Sequence, residues 1–414
     1  MAFSLSDDRS TVTGTEVVTA RFDKPVDELV FRLWPNQPTS KAKGGSLVVT
    51  SASVRGPALA GRSTESRGTL ERLRLSGRVT AGTAVTATLG FRLRLPVGAN
   101  ERWGTRANAS WWGSGFPLLA WQNGVGWREE PATALFAEAA TSEEFRLASL
   151  TVEAPEGDVI MATGTPQVHA ALHRPGTRER SVFRADSVRD VAVATGKFDL
   201  LSGRGPGGVP VLVGVARGMT DSPAAVMRAV LATFGSHVKR FGPFPYSSLS
   251  VPVIPDVRGG IEFPGLFYLG HNQLDATPSH ELAHEWFYGL VGDDQARDPW
   301  LDEAFATYAE AVARGTQSTY LRASIPTSGR GRVGRPMTYW DPLGERTYFR
   351  SVYVQGAAAL LRARAAVGPS RFDAAIRCYV RSVAHRVARP EDLERALSGL
   401  PTALAALRRV GALR

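Results

Sequence analysis

Residues 277–284 read TPSHELAH, and residues 298–310 read DPWLDEAFATYAE. The first segment opens with a threonine and a proline, which suit a helix N-cap and a first helical turn, so a helix is expected to begin there. Four residues advance about 400° around a helix, which places His280 and His284 on nearly the same side, one turn apart. The second segment opens with Asp-Pro and continues with an apolar face, which predicts another helix.

The two segments together predict a metal site. An antiparallel helix packed on the first one could bring Glu303 to the two histidines. Two neutral imidazoles and a carboxylate, with one position left for water, suit one Zn2+ ion per chain. Glu281 lies about 100° around the helix from His280, beside the expected ion, where it can take a proton from water. Two histidines at this spacing can lie on a helix surface without function, so Glu303 makes the prediction specific.

These segments resemble the active-site core of the gluzincin aminopeptidases, family M-one, the group of alanyl aminopeptidases and leukotriene hydrolase. In that family a glutamate ligand follows the second histidine after eighteen intervening residues, and Glu303 stands at this distance from His284. The family's Trp-Leu-Asn-Glu-Gly reads Trp-Leu-Asp-Glu-Ala here, so Asp302 and Ala304 are departures. Glu310 matches an acidic position of the family and is expected to support a metal ligand, unless it is a solvated carboxylate on the helix face.

Residues 259–263, GGIEF, resemble the family's Gly-x-Met-Glu-Asn segment. The resemblance implies an edge strand that pairs with substrate, in which Glu262 binds the free N-terminal amine. Gly259, Gly260 and Ile261 are then expected to contact the substrate. Phe263 replaces the family's asparagine, which leaves the support of Glu262 open, and an ordinary strand-edge charge is the alternative. The residue of the N-terminal domain that assists amine binding is not predicted.

Residues 353–357, YVQGA, resemble the family's Tyr-x-Lys-Gly-Ala. The resemblance implies that Tyr353 donates a hydrogen bond to the oxyanion of the tetrahedral intermediate. Tyr348 is the competing candidate, and a plain core tyrosine is the alternative for Tyr353. Gln355 stands where the family has lysine, which removes a charge near the site. The similarity is continuous from about residue 224 to 368.

The chain divides into two compositional regions. Up to about residue 217, short runs of alternating polarity, such as those at residues 46–50 and 85–89, are separated by turn residues. This pattern is typical of an antiparallel sheet or sandwich. Helical periodicity dominates afterwards. We therefore predict an α+β, multidomain fold, with an N-terminal β saddle or sandwich at residues 1–217 and a thermolysin-like, mainly helical catalytic domain at residues 218–414.

Bulk composition narrows the function classes. The net charge is +10, yet only five lysines occur and the arginines are scattered, which argues against nucleic-acid binding. No apolar run approaches the ~18 residues of a membrane-spanning helix. No signal peptide is expected from residues 1–10, and the compartment, cytoplasmic or exported, stays open. The single cysteine, Cys378, lies in an apolar helical pattern and is expected in the core.

The expected function is that of a zinc aminopeptidase acting on peptides with a free N-terminus. Because the chain ends soon after the helices around residues 362–413, we expect a more open cleft than in large family members. The alternatives are a zinc endopeptidase in which Glu262 is structural, a hydrolase of an ester or epoxide, and a non-catalytic peptide-binding module. Side-chain preference, physiological substrate and oligomeric state are not predicted.

Overall fold

Strands fill the first half of the chain and helices most of the second. The computed structural model describes residues 1–98, 102–135, 142–167 and 177–414. The strands of the first half are β1 Ala2–Leu5, β2 Thr11–Arg21, β3 Val26–Arg32, β4 Ser46–Arg55, β5 Leu59–Glu65, β6 Leu70–Val79, β7 Ala84–Arg94, β8 Trp103–Arg106, β9 Ala109–Gly113, β10 Leu118–Leu119, β11 Trp121–Gln122, β12 Gly126–Trp127, β13 Phe145–Ala154, β14 Val159–Ala162, β15 Thr165–Pro166, β16 Glu179–Val188 and β17 Ala192–Gly196. A short α-helix, α1 Pro38–Ala42, lies between β3 and β4.

Strand β7 shows why this region forms sheets. Every second residue of this strand is buried, and the residues between them are more exposed. Because side chains alternate between the two faces of a strand, one face of β7 is buried; it carries Val85, Ala87, Leu89, Phe91 and Leu93. The strand lies between β2 and β4 in a seven-stranded sheet of order β15-β16-β13-β1-β2-β7-β4. Two four-stranded sheets, of order β10-β3-β6-β5 and β14-β17-β9-β8, lie beside it in the same half of the chain. The predicted β-rich half is confirmed, although β1 pairs in parallel with β13, so the large sheet is mixed and not purely antiparallel.

The second half contains five more strands, with helix α2 among them, and becomes helical from α3 onwards. Its elements are β18 Phe198–Arg204, β19 Pro210–Ala216, α2 Pro223–Phe241, β20 Leu249–Val253, β21 Gly260–Phe263, β22 Leu266–Leu269, α3 Thr277–Ala283, α4 Trp300–Arg314, α5 Gln317–Leu321, α6 Met337–Trp340, α7 Glu345–Phe349, α8 Gly356–Val367, α9 Pro369–Val383, α10 Pro390–Ala396 and α11 Pro401–Arg409. A π-helical turn, Arg350–Gln355, joins α7 to α8. No helix of the described residues is long and apolar enough to cross a membrane.

A five-stranded sheet supports the helices. Its order is β18-β19-β20-β22-β21, so β21 is an edge strand. Strand β19 pairs in parallel with β20, and the buried valines of β19 pack in the same hydrophobic cluster as α2, α3 and α4. The division of the chain at residue 217 stays a prediction. By pairing and packing, β18 and β19 are continuous with the sheet that carries β21.

A separate hydrophobic cluster links the two halves of the chain. It joins Trp111 of β9 and Ala194 of β17 to Phe263 and Tyr268 of the β21–β22 hairpin. The Tyr268 hydroxyl also donates a hydrogen bond to the Val193 carbonyl at 2.8 Å. The N-terminal sheets therefore fix the position of the edge strand β21.

Cys378 corrects one expectation from the sequence. It is exposed on α9, whereas the prediction placed it in the core. The buried face of α9 is formed by Phe372, Ile376, Tyr379, Val380 and Val383. Cys378 lies two positions after Ile376, about 200° around the helix, and so faces away from this stripe.

Candidate metal centre

Helix α3 carries the first two predicted ligands. Thr277 is its first residue, and Ala276 takes the N-cap position expected for Thr277. His280 lies within the helix and His284 directly follows its last residue, still with helical backbone angles. The Nδ1 atom of His284 is 3.1 Å from the Phe287 carbonyl. Because a carbonyl only accepts hydrogen bonds, Nδ1 carries a proton, and Nε2 is the nitrogen that faces the other candidate ligands.

Helix α4 brings the third predicted ligand to the same point. Glu303 Oε2 is 3.1 Å from His280 Nε2 and 3.5 Å from His284 Nε2, and the two imidazole nitrogens are 3.1 Å apart. In a tetrahedral site with metal–ligand distances of about 2.1 Å, neighbouring ligand atoms lie roughly 3.4 Å apart. The three atoms therefore form one face of a tetrahedron of the size that a zinc-like dication needs.

Charge reinforces this arrangement. Burial favours the neutral form of Glu303, but the His284 charge and hydrogen bonds from both imidazoles lower its pKa. Burial likewise opposes the charged form of His284, yet Glu303 raises the His284 pKa well above its usual value. The pocket therefore stabilises a carboxylate next to positive charge, which is also what a bound dication supplies.

A second group of ligand atoms also lies within 4.8 Å, from Glu262, Glu281 and His284. It shares His284 with the first group. Glu262 is already engaged by the Arg102 guanidinium, at 2.8 Å from its Oε1 atom. The group formed by His280, His284 and Glu303 is therefore the better candidate for a metal.

Glu281 lies beside the three candidate ligands, as its position on the helix predicts. Gly260 makes room for it, because a Cβ atom at Gly260 would lie 2.3 Å from Glu281 Cγ. Burial is the main cause that raises the pKa of Glu281 to about 7, and the negative charges of Glu262 and Glu303 add to the rise. The charges of His280 and His284 lower the same pKa, but by less. Its Oε2 atom is buried with no hydrogen-bond partner among the described residues. A carboxyl group with such a pKa and a free oxygen is suited to take up and return a proton.

Tyr353 faces the candidate ligands from the π-helical turn. Its hydroxyl donates to Glu303 Oε1 at 2.6 Å, and its ring stacks on His280 with centroids 5.8 Å apart. Tyr348, the competing candidate, is fully buried and does not line the cavity that Tyr353 lines. A π-helical turn adds a residue to the helix and is frequent at functional sites. Of the two candidate tyrosines, Tyr353 is thus the one that lines the cavity.

A cavity of about 340 Å³ opens in front of these groups. Strand β21 forms one wall with Gly259, Gly260, Ile261 and Glu262, all of which the sequence predicts to contact substrate. The other residues that line the cavity are Arg102, Arg258, Ala276, Thr277, His280, Glu281, His284, Glu303, Thr307, Glu310, Tyr320, Glu345, Phe349 and Tyr353. All ten predicted site residues therefore meet in one cavity.

Glu285 fixes the β21–β22 hairpin next to α3. It follows His284 directly, is buried, and accepts the Gly265 N–H at 2.8 Å through Oε2. Burial raises its pKa well above the usual value for a glutamate. Gly265 lies between the two strands with a positive φ of 68°, which a residue without Cβ adopts at little cost. The edge strand is therefore tied to the helix that carries the ligands.

Glu262 lies in a buried polar network that the sequence did not reveal. Its Oε1 atom accepts from Arg102 Nη2 at 2.8 Å and from Gln295 Nε2 at 3.3 Å. Gln295 also donates to Asp302 Oδ2 at 2.7 Å. Asp302, a departure from the family motif, thus acts as an acceptor for Gln295. No motif marks Arg102 or Gln295, so sequence spacing offered no signal for either.

The remaining predicted positions have defined contacts. Glu310 Oε2 is 3.8 Å from His280 Nδ1, too far for a direct hydrogen bond, while Oε1 accepts the Tyr320 hydroxyl at 2.7 Å. Its role as a support of His280 stays a prediction. Gln355 accepts the Gly331 N–H at 3.0 Å and donates to the Gly329 carbonyl at 2.9 Å, so it ties a loop and does not face the cavity.

A larger cavity of about 1080 Å³ lies elsewhere, at the junction of β11–β12 with the C-terminal helices. Charged residues of both signs, arginines and acidic residues, line this cavity. None of the predicted site residues lines it. The chemistry suggested by the sequence therefore lies in the smaller cavity.

Known proteins match the chain by sequence and by fold. No family model matches it. Aminopeptidase M1-D of Oryza sativa subsp. japonica is 26% identical over 277 residues, which cover 59% of this chain and 31% of that protein. A two-domain M1 zinc metallopeptidase bound to L-tryptophan superposes with a TM-score of 0.73 at 20% identity, over 99% of this chain and 92% of that one. A mutant M1 zinc metallopeptidase of Deinococcus radiodurans, bound to the substrate Tyr-Ser-Ala, gives a TM-score of 0.72 at 18% identity, over 100% and 93%.

The chain has the fold of the two-domain M1 zinc metallopeptidases. The predicted resemblance to this family and the predicted α+β, multidomain class are both confirmed. The M1 aminopeptidases from rice are longer, and the chain spans 31% of the length of each of the first two. The M1 metallopeptidases of two domains, in contrast, match it nearly end to end.

Proposed function

We propose that this chain is a zinc aminopeptidase that hydrolyses the first peptide bond of peptides with a free N-terminus. The observation that carries the proposal is the proximity of Glu262 to the candidate metal ligands, since ligand atoms of Glu262, Glu281 and His284 lie within 4.8 Å of one another. The α-nitrogen and carbonyl carbon of one residue are only about 2.5 Å apart. An ammonium group held by Glu262 therefore leaves the first peptide bond, and no later one, at the metal.

Zinc held by His280, His284 and Glu303 would supply a Lewis acid that polarises a carbonyl group and lowers the pKa of water. Glu281 would take the proton of the attacking water and return it to the leaving amine. The Glu281 pKa of about 7 suits both transfers. Its unpartnered oxygen is available for the first of them.

Tyr353 would donate a hydrogen bond to the oxyanion that forms at the scissile carbonyl. Its hydroxyl already lies at the metal centre, 2.6 Å from Glu303 Oε1. A donor placed in this way typically contributes about 3–4 kcal/mol to the stability of the transition state. Strand β21 has a free edge towards the cavity, so the substrate backbone could pair with it beside Gly260 and Ile261.

Relatives support the assignment. The rice relative is an aminopeptidase, and the structural neighbours are M1 zinc metallopeptidases that bind an amino acid or a tripeptide. Peptides are therefore the substrate class that the comparisons favour.

A substrate panel on zinc-loaded protein tests the proposal. We expect hydrolysis of amino-acid arylamides and short peptides with a free amine, and a loss of at least about tenfold in kcat/KM when the amine is acetylated. Equal cleavage of free and acetylated peptides would favour the endopeptidase alternative. Cleavage of esters or epoxides without cleavage of peptides would contradict the assignment, as would binding of peptides by zinc-loaded protein without turnover.

A further inference from the structure

We propose that Arg102, in the N-terminal half of the chain, is the positioning residue of the amine anchor Glu262. This inference rests on the proposed function and deepens it. The guanidinium donates to Glu262 Oε1 at 2.8 Å, and a second nitrogen lies 3.4 Å from the main-chain oxygen of the same residue. Both residues are almost fully buried, with 5% and 6% of their surface exposed.

Arg102 is itself held in place by two contacts. Its carbonyl accepts the Gly113 N–H at 2.7 Å, which ties it to the end of β9. Its guanidinium lies over the Phe263 ring, 5.4 Å from the centroid. Phe263 in turn occupies the space that a Cβ atom of Gly113 would take, since that atom would lie 1.9 Å from the ring. Gly113, Phe263 and Arg102 thus form one packed unit around the carboxylate.

The departure of Phe263 from the family's asparagine has an explanation in this unit. The Phe263 side chain cannot hydrogen-bond the neighbouring glutamate, but it provides the aromatic face on which the guanidinium rests. Support for Glu262 therefore comes from a residue 160 positions earlier in the chain. A buried carboxylate near two other acidic groups also needs a positive partner, and arginine provides one that is always charged.

Because Oε1 of Glu262 is held by hydrogen bonds, Oε2 is the oxygen that is left to contact a substrate. Arg102 and Gln295 both donate to Oε1. No described residue forms a hydrogen bond with Oε2, and Glu262 lines the cavity. The N-terminal amine is therefore recognised by Oε2, whose direction depends on the Arg102 contact. Without Arg102 the carboxylate rotates or turns towards other donors, and the amine loses a preorganised partner.

The experiment measures binding, so that turnover does not interfere. Zinc-loaded Glu281→Gln protein is titrated calorimetrically with Tyr-Ser-Ala and with its N-acetyl form, alone and combined with Arg102→Met, Arg102→Lys or Arg106→Met. Arg106 is the matched control, because it is an arginine on β8 only four positions after Arg102, is 53% exposed in its side chain, and pairs with Asp256 outside the cavity.

We expect Arg102→Met to weaken binding of the free tripeptide by about tenfold or more and to change binding of the acetylated form less than about twofold. Arg102→Lys keeps the charge but loses the fork geometry, so a loss of about threefold to tenfold is expected. Arg106→Met should leave both affinities unchanged. In protein with Glu281 intact, Arg102→Met should raise KM for an amino-acid arylamide more than it lowers kcat.

The outcomes separate this inference from the proposed function. If Glu281→Gln protein prefers the free tripeptide and both Arg102 variants keep that preference, the inference is overturned while the aminopeptidase assignment stands. If Glu281→Gln protein binds both tripeptides equally, Glu262 is no amine anchor and both fail. Zinc content and melting temperature are measured for each variant, and Arg102→Lys decides the question if Arg102→Met does not fold.

Discussion

The candidate metal centre and the proposed amine anchor Glu262 face the same cavity, but they are built in different ways. The candidate ligands span 23 positions of the chain and lie on two neighbouring helices. Glu262 depends on a partner 160 positions away, which directly precedes β8 in the N-terminal half of the chain. The first site needs only helix geometry and one helix–helix contact, whereas the second needs two halves of the chain to pack correctly. We therefore expect mutations to affect metal binding and amine recognition separately.

The largest effect tests the metal centre. Glu303→Ala removes one of three ligands together with the acceptor of the Tyr353 hydroxyl, so zinc content should fall far below one ion per chain and activity to background. Zinc analysis of dialysed protein and an arylamide assay measure both. Melting temperature is the control for folding. Full zinc content in this variant would contradict the ligand set.

Glu281→Gln tests whether chemistry can be lost while the metal stays. The amide is nearly isosteric and cannot accept the proton of water, so kcat should fall by about 10²–10⁴-fold at unchanged zinc content. Stopped assays with high enzyme concentration measure the residual rate. Activity like that of the parent would exclude Glu281 as the base.

Tyr353→Phe removes one donor and leaves the ring stacked on His280. We expect kcat to fall by about 10²–10³-fold with a small change in KM, because the donor acts mainly on the transition state. Tyr348→Phe is the matched control, since its ring is buried and outside the cavity. Equal losses in the two variants would leave the oxyanion role without support.

A pair of glycine variants compares the two regions directly. A Cβ atom at Gly113 would press on the Phe263 ring, and one at Gly356 would lie 2.5 Å from Ala304 Cβ, next to Glu303. Each alanine should destabilise the fold by about 1–3 kcal/mol. Gly113→Ala should reduce the preference for a free amine at full zinc content, and Gly356→Ala should weaken zinc affinity. Thermal unfolding, zinc titration and the substrate pair measure these effects, and identical profiles would show that the two regions are not separable.

The candidate metal centre could be predicted because its determinants are local. Helical periodicity places His280 and His284 on one side, and the family spacing identifies Glu303. The alternating runs of the N-terminal half likewise indicate sheets, as the burial of β7 shows. Cys378 was misplaced because an apolar sequence neighbourhood does not say which side of a helix faces the core.

The amino-acid sequence by itself determined the types of secondary structure, the candidate ligand set and the candidate base, because each depends on spacing within one or two elements. The residues expected to face substrate, 259–262 and Tyr353, followed from local motifs that resemble the family. Only the tertiary structure decided that Tyr353 and not Tyr348 reaches the cavity, and that Arg102, Gln295 and Asp302 form the network around Glu262. Contacts across 160 positions arise from the packing of separate sheets, and no local periodicity encodes them.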